Sequence, residues 1–186
     1  MISLQQWQSL EALTTSCSER GKDLLERLHA LLTVDSLTQG LEALDPHFSV
    51  ELLALSETDD YYCDLPQKRV QLCRKVQLQL SHSPVIYAES HCSMDAKTWT
   101  EYLHCGTSSL GRRLFSPEAK FKRSPFRYAL FTAKDLSFLP FSNTLDDNVL
   151  ICARRSFFII NQQSLFITEW YLPALIEKIN HFTKNA

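Results

Sequence analysis

The clearest pattern in the chain is an alternation. Val70, Leu72, Arg74, Val76, Leu78 and Leu80 interleave with Gln71, Cys73, Lys75, Gln77 and Gln79, the period of two that a half-buried strand requires. His82-Ser83-Pro84 supplies a turn and 85–92 returns as a second strand, so 70–92 is expected to form an antiparallel hairpin. Upstream the period is helical, over 2–13 and 22–33, with Leu24, Leu25, Leu28, Leu31 and Leu32 on one face. Asp35 or Ser36 caps a third, short helix through Leu37, Leu41 and Leu44, which Pro46 ends. A strand at 48–55 and an acidic, aromatic loop at 57–62 lead into the hairpin.

Beyond the hairpin, 95–105 has helical spacing and Gly106 stops it; Thr107-Ser108-Ser109 then caps a short helix over 110–115. Residues 126–131 and 149–160 are β-rich, Asn161-Gln162-Gln163-Ser164 turns the chain into a last strand at 165–172, and Pro173 opens a C-terminal amphipathic helix. There is no repeat, low-complexity tract, linker or long βαβ alternation. The pattern predicts one α+β domain over 1–186, with a mainly antiparallel sheet covered by helices.

Composition narrows the function classes. With 45% hydrophobic and 22% charged residues the chain reads as globular, and at 186 residues it can bury roughly 70% of the surface its unfolded form exposes, without disulfides. A net charge of -2 and no basic stripe disfavour a nucleic-acid partner. No run approaches a membrane span, and Met1-Ile2-Ser3-Leu4-Gln5-Gln6-Trp7-Gln8 has no signal-peptide character, so a cytoplasmic, reducing location is expected. There Cys17, Cys63, Cys73, Cys92, Cys105 and Cys152 read as free thiols.

Two charged residues break the apolar pattern. Arg74 shares a strand face with aliphatic residues, and an inward guanidinium needs an anion beside it, either a structural carboxylate or a ligand. Glu169 is the one carboxylate in Leu165-Phe166-Ile167-Thr168-Glu169-Trp170-Tyr171-Leu172; it either pairs with Arg74, Arg154 or Arg155, or carries a function. The helix starts near Asp35 and Ser108 offer free N–H groups to an anion, as every helix start does. His91-Cys92 and His104-Cys105 do not have the spacing of a metal motif, so no metal site is expected. With four Gly and no phosphate-cradling loop, nucleotide chemistry is disfavoured, and the basic residues at 112–113 and 120–127 read as solvated surface.

In order along the chain, Asp35-Ser36-Leu37-Thr38, Leu72-Cys73-Arg74-Lys75-Val76, Ser109-Leu110-Gly111-Arg112-Arg113-Leu114-Phe115, Arg154-Arg155-Ser156 and Leu165 to Pro173 resemble the chorismate lyases, the chorismate pyruvate-lyases of ubiquinone biosynthesis. The match spans about 24–173. The resemblance implies about six antiparallel strands, an enclosed site beneath two helical flaps, and cofactor-independent elimination of pyruvate from chorismate to give 4-hydroxybenzoate. It implies that Arg74 binds the ring carboxylate with the backbone N–H groups of Leu37 and Leu110. Glu169, the catalytic candidate beside Arg74, faces the ring hydroxyl as acid, base or hydrogen-bond partner. A monomer without metal or organic cofactor is implied as well. Three departures stand out: Leu37 where Met is usual, Ser90 where Arg is usual, and a C-terminal extension over 174–186. The rival reading is a non-catalytic aromatic-carboxylate binding domain of the same fold, of the kind that follows a DNA-binding domain in some regulators. Fewer than 50 residues precede the first strand here, and no basic recognition helix is visible.

Overall fold

The computed structural model describes residues 6–58, 70–115 and 121–184. Its strands are β1 (Ser49–Thr58), β2 (Gln71–Leu80), β3 (Ser83–Ser93), β4 (Lys122–Arg123), β5 (Arg127–Thr132), β6 (Leu150–Ile160) and β7 (Gln163–Tyr171). They form one antiparallel sheet in the order β1-β2-β3-β7-β6-β4, with β5 also paired to β6. The helices are α1 (Leu10–Ser16), α2 (Glu19–Thr33), α3 (Leu37–Leu44), α4 (Lys97–Leu103), α5 (Leu110–Leu114) and α6 (Pro173–Lys184). The α+β class and antiparallel sheet are as expected, with seven strands among the described residues rather than about six.

The hairpin of β2 and β3 turns at Ser81 and His82, both at positive φ, one residue earlier than expected. Asn161 and Gln162 make the equivalent turn between β6 and β7. Among the described residues the first helix begins at Leu10, because Ser9 caps it and the backbone of Gln8 pairs with Tyr128; residues 2–5 of the expected helix lie outside the described residues. Ser36, not Asp35, caps α3, its hydroxyl accepting from the Gln39 N–H; Asp35 is drawn off to an ion pair with Arg123. β1 continues to Thr58, into the expected loop, whose residues 59–62 lie outside the described residues along with Cys63. Among the described residues the other five cysteines form no disulfide.

On the face carrying Arg74 and Glu169, two cores form. Leu28, Leu32, Leu41, Val76, Ile86 and Leu175 knit α2, α3 and α6 onto one part of the sheet. Trp99, Leu103, Leu110, Leu114, Phe158 and Leu165 seat α4 and α5 on another. On the opposite face, the segment 133–145, with two short 3-10 turns, packs Leu136, Leu139 and Phe141 against Tyr87 and Trp170. The expected polar face of β2 is in part buried as well: Gln71 and Cys73 are buried alongside Leu72 and Arg74. The C-terminal helix is a packing element, with Leu175 buried and Ile176, Ile179 and Phe182 against the core. Among the described residues no helix is long and apolar enough to cross a membrane.

Candidate active site

Between the two cores lies a cavity roofed by the first turns of α3 and α5. Its floor is a grid set by strand register. Arg74 of β2 stands opposite Ser90 of β3, which stands opposite Ile167 of β7; one row over, Val76, Ala88, Glu169 and Arg154 follow one another across β2, β3, β7 and β6. Arg74 and Glu169 are thus two strands and one side-chain row apart, roughly 12 Å between Cα atoms by standard strand spacings. That span accommodates a ring and its substituents between the two side chains.

Arg74 is 2% exposed. Its Nη2 donates to the carbonyls of Gly106 (2.9 Å) and Ser108 (3.2 Å), holding the chain that enters α5, while its Nε–H has no partner among the described residues. It makes no ion pair among the described residues, where its partners are these two loop carbonyls. Burial lowers its guanidinium from the ordinary value, as desolvation of an unmatched cation must.

Glu169 does have the protein partner foreseen as one of its readings. Arg154 Nε donates to its Oε2 at 2.7 Å, and the Glu169 side chain remains 15% exposed on the cavity. Arg154 Nη1 donates to the carbonyls of Leu31 (3.3 Å), Leu32 (3.2 Å) and Val34 (2.8 Å). The hydroxyls of Tyr128 and Tyr171 donate to Leu32 and Leu31, so the last carbonyls of α2, which have no acceptor role left within the helix, are satisfied from the sheet. Burial opposes the charge on Arg154, but Glu169 together with Tyr171 and Tyr128 outweighs it and the guanidinium is raised above its ordinary value. Burial likewise pushes up the phenols of Tyr128 and Tyr171.

Leu37 and Leu110 are the first residues of α3 and α5, and both line the cavity. Their N–H groups fall in the first turn, where no intrahelical acceptor exists. The two helices grip each other: the Thr38 and Ser109 hydroxyls are hydrogen-bonded at 2.7 Å, and Arg112 pairs with Glu42. Gly111 permits this approach, since a Cβ there would sit 2.5 Å from Thr38 Oγ1. The basic cluster read as solvated surface is exposed at Arg112, Lys122 and Arg127, while Arg113 and Arg123 are half-buried. Arg112 and Arg123 carry ion pairs, and Arg113 donates to the carbonyls of Glu101 and Tyr102; Lys120 lies outside the described residues.

Sequence adjacency missed a second polar group, on the opposite face of the sheet. Cross-strand register brings Cys73 beside His91 and Lys75 beside Glu89. His91 Nε2 lies 3.6 Å from Cys73 Sγ and 3.2 Å from Glu89 Oε2, a set able in principle to hold a metal ion. Glu89 Oε1, however, already accepts from the Tyr87 hydroxyl at 2.8 Å and faces the Lys75 ammonium at 3.4 Å, so its charge is matched without one. Burial would raise the Glu89 carboxyl; His91, Tyr87 and Lys75 together reverse that and hold it below the ordinary value. A carboxyl lowered on folding stabilises the protein above its unfolded titration range, and the contribution is lost as pH falls through the folded value. Glu89→Gln is therefore expected to lower stability at neutral pH by about 1–3 kcal/mol. In denaturant titrations its deficit against the wild type should shrink as the pH is taken into the acid range. A deficit independent of pH would mean that the charge of Glu89 contributes nothing.

Comparison with known proteins adds four findings. The family model described as chorismate lyase matches residues 8–181, wider than the stretch carrying the motifs. A protein named probable chorismate pyruvate-lyase from Ralstonia nicotianae is 32% identical over 154 residues, 76% of this chain and 78% of its own length. One of the same name from Shewanella sp. strain ANA-3 is 27% identical over 173 residues, covering 90% of this chain and 91% of its own. Among solved structures, the C-terminal domain of the histidine utilization repressor from Pseudomonas syringae pv. tomato superposes with a TM-score of 0.48 at 11% identity, over 69% of this chain and 93% of that one.

Proposed function

Because the chain belongs to the chorismate lyase family, we propose that it converts chorismate to 4-hydroxybenzoate and pyruvate in the cavity between Arg74 and Glu169. The observation that carries this reading is Arg74, a buried guanidinium with an unused Nε–H and no carboxylate partner among the described residues, lining a cavity of suitable span. A ring carboxylate supplies the missing anion, held also by the N–H groups of Leu37 and Leu110 above it. The ring hydroxyl then falls at Glu169, whose Oε1 has no donor among the described residues.

In the reaction the bond between ring carbon 3 and the ether oxygen breaks, and its electron pair leaves with the enolpyruvyl group. The electron pair of the C–H bond at carbon 4 enters the ring, which becomes aromatic, and the released proton completes the methyl group of pyruvate. Aromatisation supplies the drive, so the protein's part is to orient the dianion, shield it from water and polarise its hydroxyl end. Ser90, opposite Arg74, adds a hydroxyl to the floor but no charge, which leaves the second carboxylate with fewer cationic contacts. The resemblance extends the proposal to a cytoplasmic monomer acting at the first step of ubiquinone biosynthesis.

The test is to incubate the purified chain with chorismate and follow both products, which should appear in equal amounts. Tight binding of 4-hydroxybenzoate without turnover would instead make the chain an aromatic-carboxylate binding module. Exhaustive chelation is expected to leave the rate unchanged, because an aromatising elimination needs no electron carrier. A loss restored by one divalent ion would contradict that and bring Cys73, Glu89 and His91 into question as ligands.

A further inference from the structure

Arg154 is 2% exposed and lies in the same side-chain row as Glu169, on the neighbouring strand. Its three-nitrogen head is divided between two tasks. Nε engages Glu169 Oε2, and Nη1 takes the three carbonyls of Leu31, Leu32 and Val34, immediately before the Ser36 cap of α3. The Phe126 ring lies 4.1 Å from its guanidinium carbon, and Arg123, which holds Asp35 at the foot of α3, lies against the same ring. Arg74 has a parallel arrangement at the other end of the cavity, where it ties down the carbonyls of Gly106 and Ser108 ahead of α5. Each roof helix is thus anchored by one buried arginine. Among the described residues Arg74 keeps its Nε–H free, whereas Arg154 spends its own on a side chain that faces the cavity.

We propose that Arg154 is a positioning residue for the lyase reaction: it immobilises one oxygen of Glu169 so that the other is presented to the ring hydroxyl, and it locks that carboxylate to the chain entering α3. This rests on the reading of the cavity as the chorismate site. A carboxylate held by a single side chain on a strand can swing about its terminal torsions, and small displacements of a polarising group are costly in the transition state. The planar guanidinium fixes the Glu169 oxygen and the α2 carbonyls in one geometry, which an ammonium cannot reproduce. Removing that fixation acts on turnover through Glu169 and leaves the carboxylate end of the ligand, at Arg74, in place.

The experiment is a mutant cycle read by kcat, by affinity for 4-hydroxybenzoate and by thermal unfolding. Arg154→Lys is expected to lower kcat on the order of 10–100-fold, with a much smaller change in product affinity. In a Glu169→Gln background the same substitution should cost kcat little more, because its effect is already lost; costs that multiply to within about twofold would show that Arg154 acts independently of Glu169 and overturn the proposal. Equal losses of kcat and product affinity would overturn it as well. Should Arg154→Lys fail to fold, the wild-type chain decides. The arginine Nε–H resonance that moves in Glu169→Gln must persist, protected from exchange, when 4-hydroxybenzoate is added. Its collapse, or the absence of any such resonance, refutes the clamp. A wild type that binds product without consuming chorismate refutes the lyase reading instead, while the resonance still reports on the ion pair.

Discussion

Glu169→Gln is expected to slow the conversion of chorismate by about 100-fold or more, the usual scale for loss of a group that moves or polarises a proton in the transition state. Gln keeps the size of the side chain and one carbonyl oxygen for Arg154, so the floor of the cavity should survive. What disappears is the negative charge at the hydroxyl end of the ring. Product affinity should fall far less than turnover, because the carboxylate of 4-hydroxybenzoate is held at Arg74, roughly 12 Å away by strand geometry. Steady-state rates and calorimetric affinities measured on the same variant separate the two. Full activity with weakened product binding would reduce Glu169 to a hydrogen-bond partner.

Arg74→Ala carries the larger effect on binding. Truncating one partner of a buried, charge-assisted contact costs ~2–5 kcal/mol, so affinity for 4-hydroxybenzoate should drop by one to several powers of ten. Arg74→Lys should also bind poorly despite keeping its charge, since a single ammonium cannot make a two-pronged contact with a carboxylate and still reach the Gly106 and Ser108 carbonyls. The fold should tolerate Arg74→Ala better than the site does. The change leaves two loop carbonyls without a donor, but it also removes a buried cation that has no carboxylate partner among the described residues. Normal product binding together with a large fall in melting temperature would return Arg74 to a purely structural role.

Arg74 and Glu169 were legible in the sequence for one reason: each is a charge at an inward position of a strand whose neighbours on that face are apolar, and period two reveals that without any knowledge of the fold. Leu37 and Leu110 were legible only as first residues of short helices, a property every helix shares, and it took the fold to bring their two starts together over the same cavity. The partner of Glu169 was narrowed to three arginines, because adjacency in a strand says nothing about which residue of the next strand stands opposite. Register decided for Arg154 and assigned Arg74 to loop carbonyls instead. The same limit hid Cys73, Lys75, Glu89 and His91. Each is unremarkable in its own strand, and they meet only when β2 and β3 pair.

Coverage of the second face was also invisible in the pattern. Gln71 and Cys73 were expected to face water on polarity alone, yet they are buried, and their strand neighbour Lys75 is matched by the Glu89 carboxylate. The segment 133–145, which packs on the same face of the sheet, has neither helical nor strand period, so its role as a cover does not show in a scan for periodicity. β4, two residues long, falls below the length at which alternation means anything.

The most direct test of the account is a crystal structure of the chain with 4-hydroxybenzoate bound. It should show the ring in the cavity beneath α3 and α5, with its carboxylate on the Arg74 guanidinium and within hydrogen-bond reach of the Leu37 and Leu110 N–H groups. Its hydroxyl should lie against Glu169 Oε1, and Arg154 should still hold Oε2. A ring bound elsewhere, or one turned so that its carboxylate lies toward Glu169, would contradict it.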